Sequence, residues 1–268
     1  MKAFREKIKN FLISVGFYYL PASTKVELKN VIAMMHPVKS GFDLIRIGGN
    51  NDGGYLVPND LDGIAACFSP GVDNTASFEE DFIKITSAPC FLADFSVDQS
   101  PISSPHISFQ KKFLGTENTD KFIRLATWVE ENSQSENAEY LLQMDIEGAE
   151  FKVILDTPNI ILNKFRIIVL ELHNMDRMFG SKHLNLVERT MRKLGENFDV
   201  VHMHPNNGRR FFSRGEIGIP KVIEMTLLRK DRVREREYIS VLPHPLDQPN
   251  VVHNPDYPMP NCWIHERA

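Results

Sequence analysis

The sequence has few cysteines, and their spacing does not form a disulfide framework or a metal-binding ribbon. Cys67, Cys90 and Cys262 are an odd number, and no two of them form a CxxC pair. Cys67 and Cys90 stand in apolar runs, where a reduced cysteine behaves as a small hydrophobic residue. This usage is typical of a reducing compartment, so we expect a cytoplasmic protein.

The sequence also lacks an excess of positive charge and an apolar run of the ~20 residues that span a bilayer. A formal net charge of -4 gives no general attraction to nucleic acid or to an anionic membrane. The basic and apolar beginning, residues 2–20, loosely resembles a signal peptide. An amphipathic helix explains it better, because one stripe of such a helix would carry Phe4, Ile8, Phe11, Leu12 and Val15. We therefore expect no nucleic-acid partner and no stable membrane insertion.

From residue 64 onward, short apolar runs alternate with segments of helix length. The runs are residues 64–68, 90–95, 140–144, 167–172 and 200–203, and the helical segments between them are 77–85, 119–131 and 183–194. Runs that are apolar throughout, without alternation, are typical of parallel strands covered on both faces. Ser77 and Glu80 have the spacing of a capping box at the first of these helices. The pattern predicts a doubly wound α/β sheet.

The C-terminal part follows a different pattern. Residues 198–203 and 222–228 are separated by a polar loop without room for a covering helix, so these two strands must pair antiparallel. We predict a mostly parallel seven-stranded sheet that ends in an antiparallel hairpin. We divide the chain into an N-terminal helical cap at 1–40, a main domain at 41–240 and a proline-rich tail at 241–268 that packs on it.

The first two strands of the predicted sheet end in residues suited to a nucleoside cofactor. Gly71 follows the first strand and lets the backbone approach a ligand, next to Asp73 and a helix N-terminus. Asp94 ends the second strand, where an acid can hold ribose hydroxyls. A plain turn and a helix cap are the alternatives. The G-x-G-x-x-G turn of a nicotinamide-dependent oxidoreductase is missing, but that class remains an alternative function.

An acidic segment follows the fourth predicted strand and carries a family resemblance. Residues 144–150 read MDIEGAE, and this run closely resembles the signature of FkbM-type methyltransferases. The stretches DGGY at 52–55, VLELH at 169–173 and HMHPNN at 202–207 are similar to that family as well. The resemblance covers roughly residues 44–230. Where the family usually has a richer glycine loop, this chain has Ser69, Pro70 and Gly71.

The resemblance implies a Rossmann-like class I methyltransferase fold and S-adenosylmethionine as the cofactor. It implies that Gly71 lies under the methionine part, Asp94 on the ribose and Asp145 near the sulfonium, with Asp73 and Glu79 also on the cofactor. Such enzymes methylate oxygen atoms, often on sugars or polyketides. The chain has no Asp/Asn-Pro-Pro-Tyr motif of amine-methylating families after the fourth strand. We therefore expect a sugar-like hydroxyl as the acceptor, on a small molecule such as a nucleotide sugar or on a polysaccharide precursor.

Glu171 and His173 share one face of the fifth predicted strand, and Asp145 ends its neighbour. Three interpretations of this Asp/Glu/His trio remain open. It could bind a divalent metal, Mn²⁺, Mg²⁺, Fe²⁺ or Zn²⁺. His173 could act as a general base that a carboxylate orients. The trio could also be a structural hydrogen-bond network.

The remaining candidates concern the acceptor. Residues 202 and 204 share a strand face, and two asparagines follow in a loop at the same edge. We expect the acceptor to be bound by Tyr55, His202, His204, Asn206 and Asn207. An ordinary hairpin turn would also contain Asn-Asn-Gly, and a non-catalytic glycan-binding protein on the same fold is a further alternative.

Overall fold

The computed structural model describes residues 7–8, 11–12, 14–15, 21–133 and 135–265. The strands are β1 (Leu44–Ile47), β2 (Tyr55–Pro58), β3 (Ile64–Pro70), β4 (Cys90–Ala93), β5 (Ile107–Gln110), β6 (Phe113–Gly115), β7 (Phe122–Arg124), β8 (Glu139–Met144), β9 (Phe165–Leu172), β10 (Phe198–Pro205), β11 (Phe211–Arg214), β12 (Ile217–Pro220) and β13 (Ile223–Arg229). The helices are α1 (Lys25–Ala33), α2 (Ser77–Thr86), α3 (Leu125–Glu131), α4 (Glu150–Asp156), α5 (Asn159–Leu162) and α6 (Ser181–Asn197), with 3-10 turns at Met175–Phe179 and Asn261–Trp263.

Seven strands form one sheet in the order β10-β13-β9-β8-β3-β4-β5. Neighbours from β9 to β5 pair parallel, and β13 lies antiparallel between β9 and β10. No helix covers the connection from β10 to β13, so the chain returns in the opposite direction. The prediction of a mostly parallel seven-stranded sheet with a C-terminal antiparallel hairpin is confirmed.

The sheet is buried on both faces, which explains why its strands are apolar throughout. All eight residues of β9 are buried. Neighbouring residues of β3 contribute to opposite layers, since Phe68 packs with Trp128 on one face and Cys67 packs with Phe82 on the other. The two layers hold the strand ends in fixed positions relative to one another.

Two local predictions were wrong. The helix predicted at 119–131 begins only at Leu125, because Phe122–Arg124 pairs with β6 as a strand. Ser77 does not cap α2, because its hydroxyl accepts a hydrogen bond from the backbone of Gly49 in the β1–β2 turn instead. The structure has a capping box at α1, where Thr24 and Glu27 bond to each other's backbone amides.

The β1–β2 hairpin has a tight glycine turn. A Cβ atom at Gly54 would lie 2.0 Å from the backbone oxygen of Gly49, so a side chain there would collide with the turn. Gly48 adopts φ +91°, in the left-handed region that favours glycine. The turn brings Asp52 and Tyr55 to the carboxyl edge of the central sheet.

The C-terminal tail runs across the end of the sheet formed by β10 and β13. Trp263 is fully buried, and its indole N–H donates to the backbone oxygen of Gly218 at 2.7 Å. The predicted N-terminal amphipathic helix falls largely on residues outside the described ranges, Phe4 among them. In the described part of the chain, we find no helix with both the length and the apolarity to cross a bilayer.

Candidate functional site

A cavity of about 720 Å³ opens at the carboxyl ends of β3, β4 and β8. Gly71, Asp94 and Asp145 line it, one from the end of each strand, together with Asp73 and Glu79. This is the edge at which doubly wound sheets bind ligands. The structure therefore brings together at one cavity all five residues that the sequence assigned to a cofactor.

Gly71 joins the loops after β3 and β8. Its φ is +85°, and a Cβ atom built on it would lie 1.6 Å from the backbone oxygen of Asp145. Its own N–H donates to the backbone oxygen of Ala93 at 3.0 Å. Only glycine allows this close approach. Gly71 therefore lets the ends of β3, β4 and β8 meet at the cavity wall.

Asp94 presents a carboxylate that the surrounding chain fixes in place. One oxygen accepts from the N–H of Asp73 at 3.0 Å, and the other accepts from the N–H of Ser96 at 2.7 Å. The side chain is buried apart from the face that lines the cavity. Its assignment to a ribose stays a prediction.

Glu79 is a buried acid on α2 that faces the cavity beside a polar pair. The hydroxyl of Ser69 contacts both the carboxyl group of Glu79 and the side-chain oxygen of Gln143. Burial raises the pKa of Glu79 to about 7, although the bond from Ser69 lowers it. A positively charged ligand in the cavity would favour the ionised form of this acid.

His173 lies next to Asp145 and Glu147, and hydrogen bonds fix the orientation of its ring. Its Nδ1 lies 3.0 Å from Oε1 of Glu150 and 3.1 Å from the backbone oxygen of Glu171. Both neighbours are acceptors, so Nδ1 carries the proton in the neutral ring, and Nε2 is then the nitrogen with a free lone pair. Nε2 lies 3.4 Å from Glu147 and 3.8 Å from Asp145, two acids that line the cavity.

Glu150 keeps this ring in place from the first turn of α4. It is fully buried, and its Oε1 also accepts from the N–H of Gly148 at 2.9 Å and of Ile146 at 3.3 Å. Burial lowers the pKa of His173, but the hydrogen bond and charge of Glu150 outweigh it and leave the pKa above its usual value. Glu150 was quoted in the motif but not predicted as a site residue, because spacing alone did not show that it turns back toward β9.

Glu171 is held at both of its carboxylate oxygens. Tyr55 donates to one at 3.1 Å, and the amide of Asn206 donates to the other at 3.0 Å. Burial and the charge of Asp145 raise the pKa of Glu171 well above its usual value. Burial likewise raises the pKa of Asp145 to about 7. Both carboxyl groups therefore hold a proton more readily than an exposed acid does, as expected of neighbouring buried carboxyl groups.

The possible metal ligands differ from the predicted trio by one residue. Ligand atoms of Asp145, Glu147 and His173 all lie within 4.8 Å of one another. Glu147 was not predicted as a ligand, and its φ of +55° is in the left-handed region. Oε1 of the predicted Glu171 lies 4.0 Å from Nε2 of His173, and Glu171 also belongs to a second group of acids with Asp52 and Glu224. The close spacing of the acids at residues 145 and 147 was the sequence pattern from which Glu147 could have been predicted as a ligand.

The residues predicted to bind the acceptor lie in two places. Tyr55 lines the cavity, and Asn206 supports Glu171. The other three bind the C-terminal tail: His202 contacts Asp247 at 2.9 Å, His204 contacts Asp256 at 3.3 Å, and Asn207 accepts from the N–H of Val251 at 2.8 Å. The tail covers them because β10 lies at the edge of the sheet. Asp247 and Asp256 had no recognisable motif in the sequence.

A mostly parallel, doubly wound sheet with a cavity at its carboxyl edge defines an α/β protein of the Rossmann-like class. The chain belongs to the FkbM methyltransferase family, since the family model described as "Methyltransferase FkbM domain" matches residues 50–198, more than half of the chain. A solved structure, a fibrillarin/Nop5p complex, is distantly similar, with 10% identity over 62% of this chain and 73% of that chain and a TM-score of 0.38. Among curated proteins, no sequence matches significantly.

Proposed function

We propose that this protein transfers a methyl group from S-adenosylmethionine to a hydroxyl of a sugar-like acceptor in the cytoplasm. The acceptor would be a small molecule such as a nucleotide sugar, or a precursor of a surface polysaccharide. The observation that carries the proposal is the fixed ring of His173, whose Nε2 faces the two acids that line the cavity.

The cavity fits the proposed cofactor in size and in charge. Its volume of about 720 Å³ lies within the usual range of roughly 300–1,000 Å³ for small-molecule sites. Asp94 would hold the ribose, Gly71 would lie against the methionine part, and Asp145 and Glu79 would face its positive groups. When bound, S-adenosylmethionine supplies a methyl group on a positively charged sulfur. The acidic lining supports a cation in this position.

His173 would supply the base that a sugar hydroxyl needs. Such a hydroxyl is a poor nucleophile near neutral pH, so its proton must leave as the new bond forms. A hydroxyl placed between Asp145 and Glu147 would meet Nε2 of His173, since both acids lie within 3.8 Å of that nitrogen. Glu150 would stabilise the resulting imidazolium through its bond to Nδ1.

The same geometry also supports a metal-assisted version. Asp145, Glu147 and His173 would hold the ion, and Glu150 would orient the histidine as carboxylates do for metal-bound imidazoles. A nitrogen ligand favours Mn²⁺, Fe²⁺ or Zn²⁺ over Mg²⁺. Exhaustive chelation distinguishes the two mechanisms. Full activity after chelation would support a general base without a metal, whereas activity that returns only with a divalent cation would support the metal.

The cofactor is tested by thermal unfolding with S-adenosylmethionine, S-adenosylhomocysteine or NAD. A real cofactor at a hundredfold excess over its Kd stabilises the protein by ~2.7 kcal/mol. We expect the first two to stabilise it and NAD not to. Stabilisation by NAD alone would indicate an oxidoreductase, and stabilisation only by glycans would indicate a binding protein. Transfer of a labelled methyl group to a panel of nucleotide sugars then tests the acceptor, with amino-sugar analogues as the comparison.

A further inference from the structure

The β11–β12 hairpin combines positive charge with exposed aromatic rings. All four residues of β11 are exposed, whereas all four residues of β12 are buried. The side chain of Phe211 is 37% exposed and that of Phe212 is 40% exposed. Arg209, Arg210 and Arg214 flank the two rings and are exposed as well. We call these five residues the hairpin surface.

No acid among the described residues pairs with the three arginines of the hairpin surface. Residues 208–221 contain four basic side chains, and Glu216 is their single acid. Glu216 is already paired with Lys25 at 2.7 Å and with Lys29 at 3.4 Å. Arg214 donates to a backbone oxygen at 2.5 Å instead of to a carboxylate. The whole chain has a net charge of -4, so an attraction for anions would be local to this face.

The two aromatic rings differ in what they contact. A Cβ atom built on Gly218 would lie 2.3 Å from Cζ of Phe211, so the ring of Phe211 lies over that glycine. Residues two apart share a strand face, so Phe212 lies on the other face of β11 together with Arg214. An exposed ring beside arginines suits the interface of a bilayer. There the ring can enter the boundary of the acyl chains while the guanidinium groups stay among the headgroups.

The N-terminal segment provides a second observation of the same kind. Of the amphipathic helix predicted there, Ile8, Phe11 and Val15 are 44%, 65% and 51% exposed. The N–H of Val15 donates to the backbone oxygen of Phe11 at 3.2 Å, as in a helical turn. A basic amphipathic helix with exposed apolar residues is typical of membrane surfaces. The guanidinium of Arg214 bonds to the backbone of Ser23, so this segment joins the rest of the protein beside the hairpin.

The hairpin begins at the edge of the sheet where the cavity opens. β10 pairs antiparallel with β13, and β13 pairs antiparallel with β9, so β10 and β9 run in the same direction. The backbone oxygen of Arg210 accepts from Lys221, and the backbone oxygen of Lys221 accepts from Met175, two residues after His173. A surface bound to the hairpin would therefore lie near the carboxyl edge of the sheet.

We propose that the hairpin surface, with the N-terminal segment beside it, docks on the anionic surface of a lipid bilayer. The arginines would bind lipid phosphates, and Phe212 would enter the boundary between headgroups and acyl chains. Binding of this kind is peripheral and needs no helix that crosses the bilayer. Docking would bring an acceptor at the membrane surface close to the cavity, but the docking itself does not depend on methyl transfer.

The test is co-sedimentation of the full chain with phosphatidylcholine vesicles, prepared with and without about 30 mol% of anionic phosphatidylglycerol. We expect binding to the anionic vesicles alone. Raising NaCl from about 0.1 M to about 1 M should weaken this binding about tenfold or more, because the screening length falls from about 10 Å to about 3 Å. Arg209→Gln combined with Arg210→Gln should weaken it about 25-fold, at about fivefold for each arginine near the surface. Phe212→Ser should weaken it about tenfold through the lost apolar contact.

The matched control is Arg189→Gln combined with Arg192→Gln. It removes two exposed arginines from the C-terminal half of α6, which leads into the beginning of β10 at the opposite edge of the sheet, so binding should be unchanged. An unchanged midpoint of thermal unfolding shows that each variant is folded.

The proposal is overturned if the wild type does not bind anionic vesicles or binds uncharged vesicles equally well. It is also overturned if either hairpin variant binds as well as the wild type, or if the control weakens binding as much as the paired arginine variant. Inorganic pyrophosphate at about 1 mM adds little to the ionic strength, so it should not release the protein from the vesicles. Release would assign the arginines to a soluble phosphate ligand and would overturn the proposal as well.

Discussion

Nδ1 of His173 lies 3.0 Å from Oε1 of Glu150, although the first follows β9 and the second begins α4. Glu150 is fully buried, so this contact fixes the ring in a single orientation with Nε2 toward the cavity acids. The orientation suits a base and a metal ligand alike.

His173→Ala should lower turnover about 10²–10⁴-fold, the usual contribution of general base catalysis, and should leave cofactor affinity nearly unchanged. Only the neutral ring accepts a proton, so the wild-type rate should rise with pH. Since the pKa of His173 is raised, the inflection should lie above the usual value of 6.5. The measurement is kcat and kcat/KM across pH, with His106→Ala at an exposed turn as the control. Near-normal turnover in a folded His173→Ala protein would leave Asp145 as the next candidate base.

Asp94→Ala should weaken binding of S-adenosylhomocysteine by about 1.5–3 kcal/mol, the range for a charged hydrogen bond. The carboxylate is fixed by Asp73 and Ser96 at the cavity wall, so a bound ribose would meet a preorganised acceptor. Calorimetry on the folded variant measures the change, and Asp62→Ala serves as the control for loss of an acid. Equal affinity in the two variants would remove Asp94 from the cofactor site.

Asp145→Asn should stabilise the free protein at pH 8 by on the order of 1–4 kcal/mol, because each unit by which the pKa is raised costs up to about 1.4 kcal/mol in the ionised state. Folding raises the pKa of Asp145 from 3.8 to about 7, so the folded state holds a proton that the unfolded state releases. Stability should therefore fall as pH rises across this window, and the variant should lack that part of the decline. Denaturant unfolding at pH 4 and pH 8 tests this, because a gain equal at both values would contradict it.

Gly71→Ala should destabilise the protein by more than about 3 kcal/mol, since a Cβ atom would meet the backbone of Asp145 at 1.6 Å in a left-handed conformation. Gly195→Ala is the matched control. A Cβ at that α6 position meets nothing within 4 Å, so alanine should stabilise the helix by about 0.5–1 kcal/mol. Urea midpoints of the two variants should move in opposite directions. A Gly71→Ala protein with wild-type stability would contradict the strand contact described above.

Raising the pH through about 9 should release the tail from β10. Burial lowers the pKa of His204, but Glu224 and the nearby acids raise it to about 9. A raised histidine pKa contributes stability that is complete below 6.5 and is lost as pH rises through about 9. Limited proteolysis between residues 242 and 260 should therefore accelerate above pH 9. In His204→Gln, which cannot be protonated, cleavage should be faster already at pH 7 and nearly independent of pH.

Much of the architecture could be predicted because apolar periodicity reflects burial on both faces. The strand at β9 and the helix at α2 follow from such patterns, and the acids at Asp94 and Asp145 follow from strand ends. The β6–β7 pair could not be predicted, because Phe122–Arg124 has three residues and pairs with a partner that has no periodic signal. The local sequence pattern does not show which strand a short strand will pair with.

Site residues could be predicted where they directly follow a strand, but not where they depend on contacts between segments that are far apart in the sequence. Gly71, Asp94 and Asp145, which the sequence assigned to a cofactor, each follow a parallel strand, so their convergence follows from the topology. The contacts of Glu150 with His173 and of Asp247 with His202 depend on where α4 and the tail turn, and they join segments that are distant along the chain. His202 looked like a surface ligand because nothing in the sequence shows that Asp247 lies over it.

The tail also sets an order of assembly during synthesis. The five predicted cofactor residues lie between Gly71 and Asp145, whereas the partners of His202 and His204 in the tail are Asp247 and Asp256. A chain leaves the ribosome from its N-terminus, and its earlier parts can fold first. The cavity wall around the predicted cofactor residues can therefore form before the tail has been synthesised. Until then, His202 and His204 would lack their partners in the tail, and the part of β10 that the tail covers would stay open.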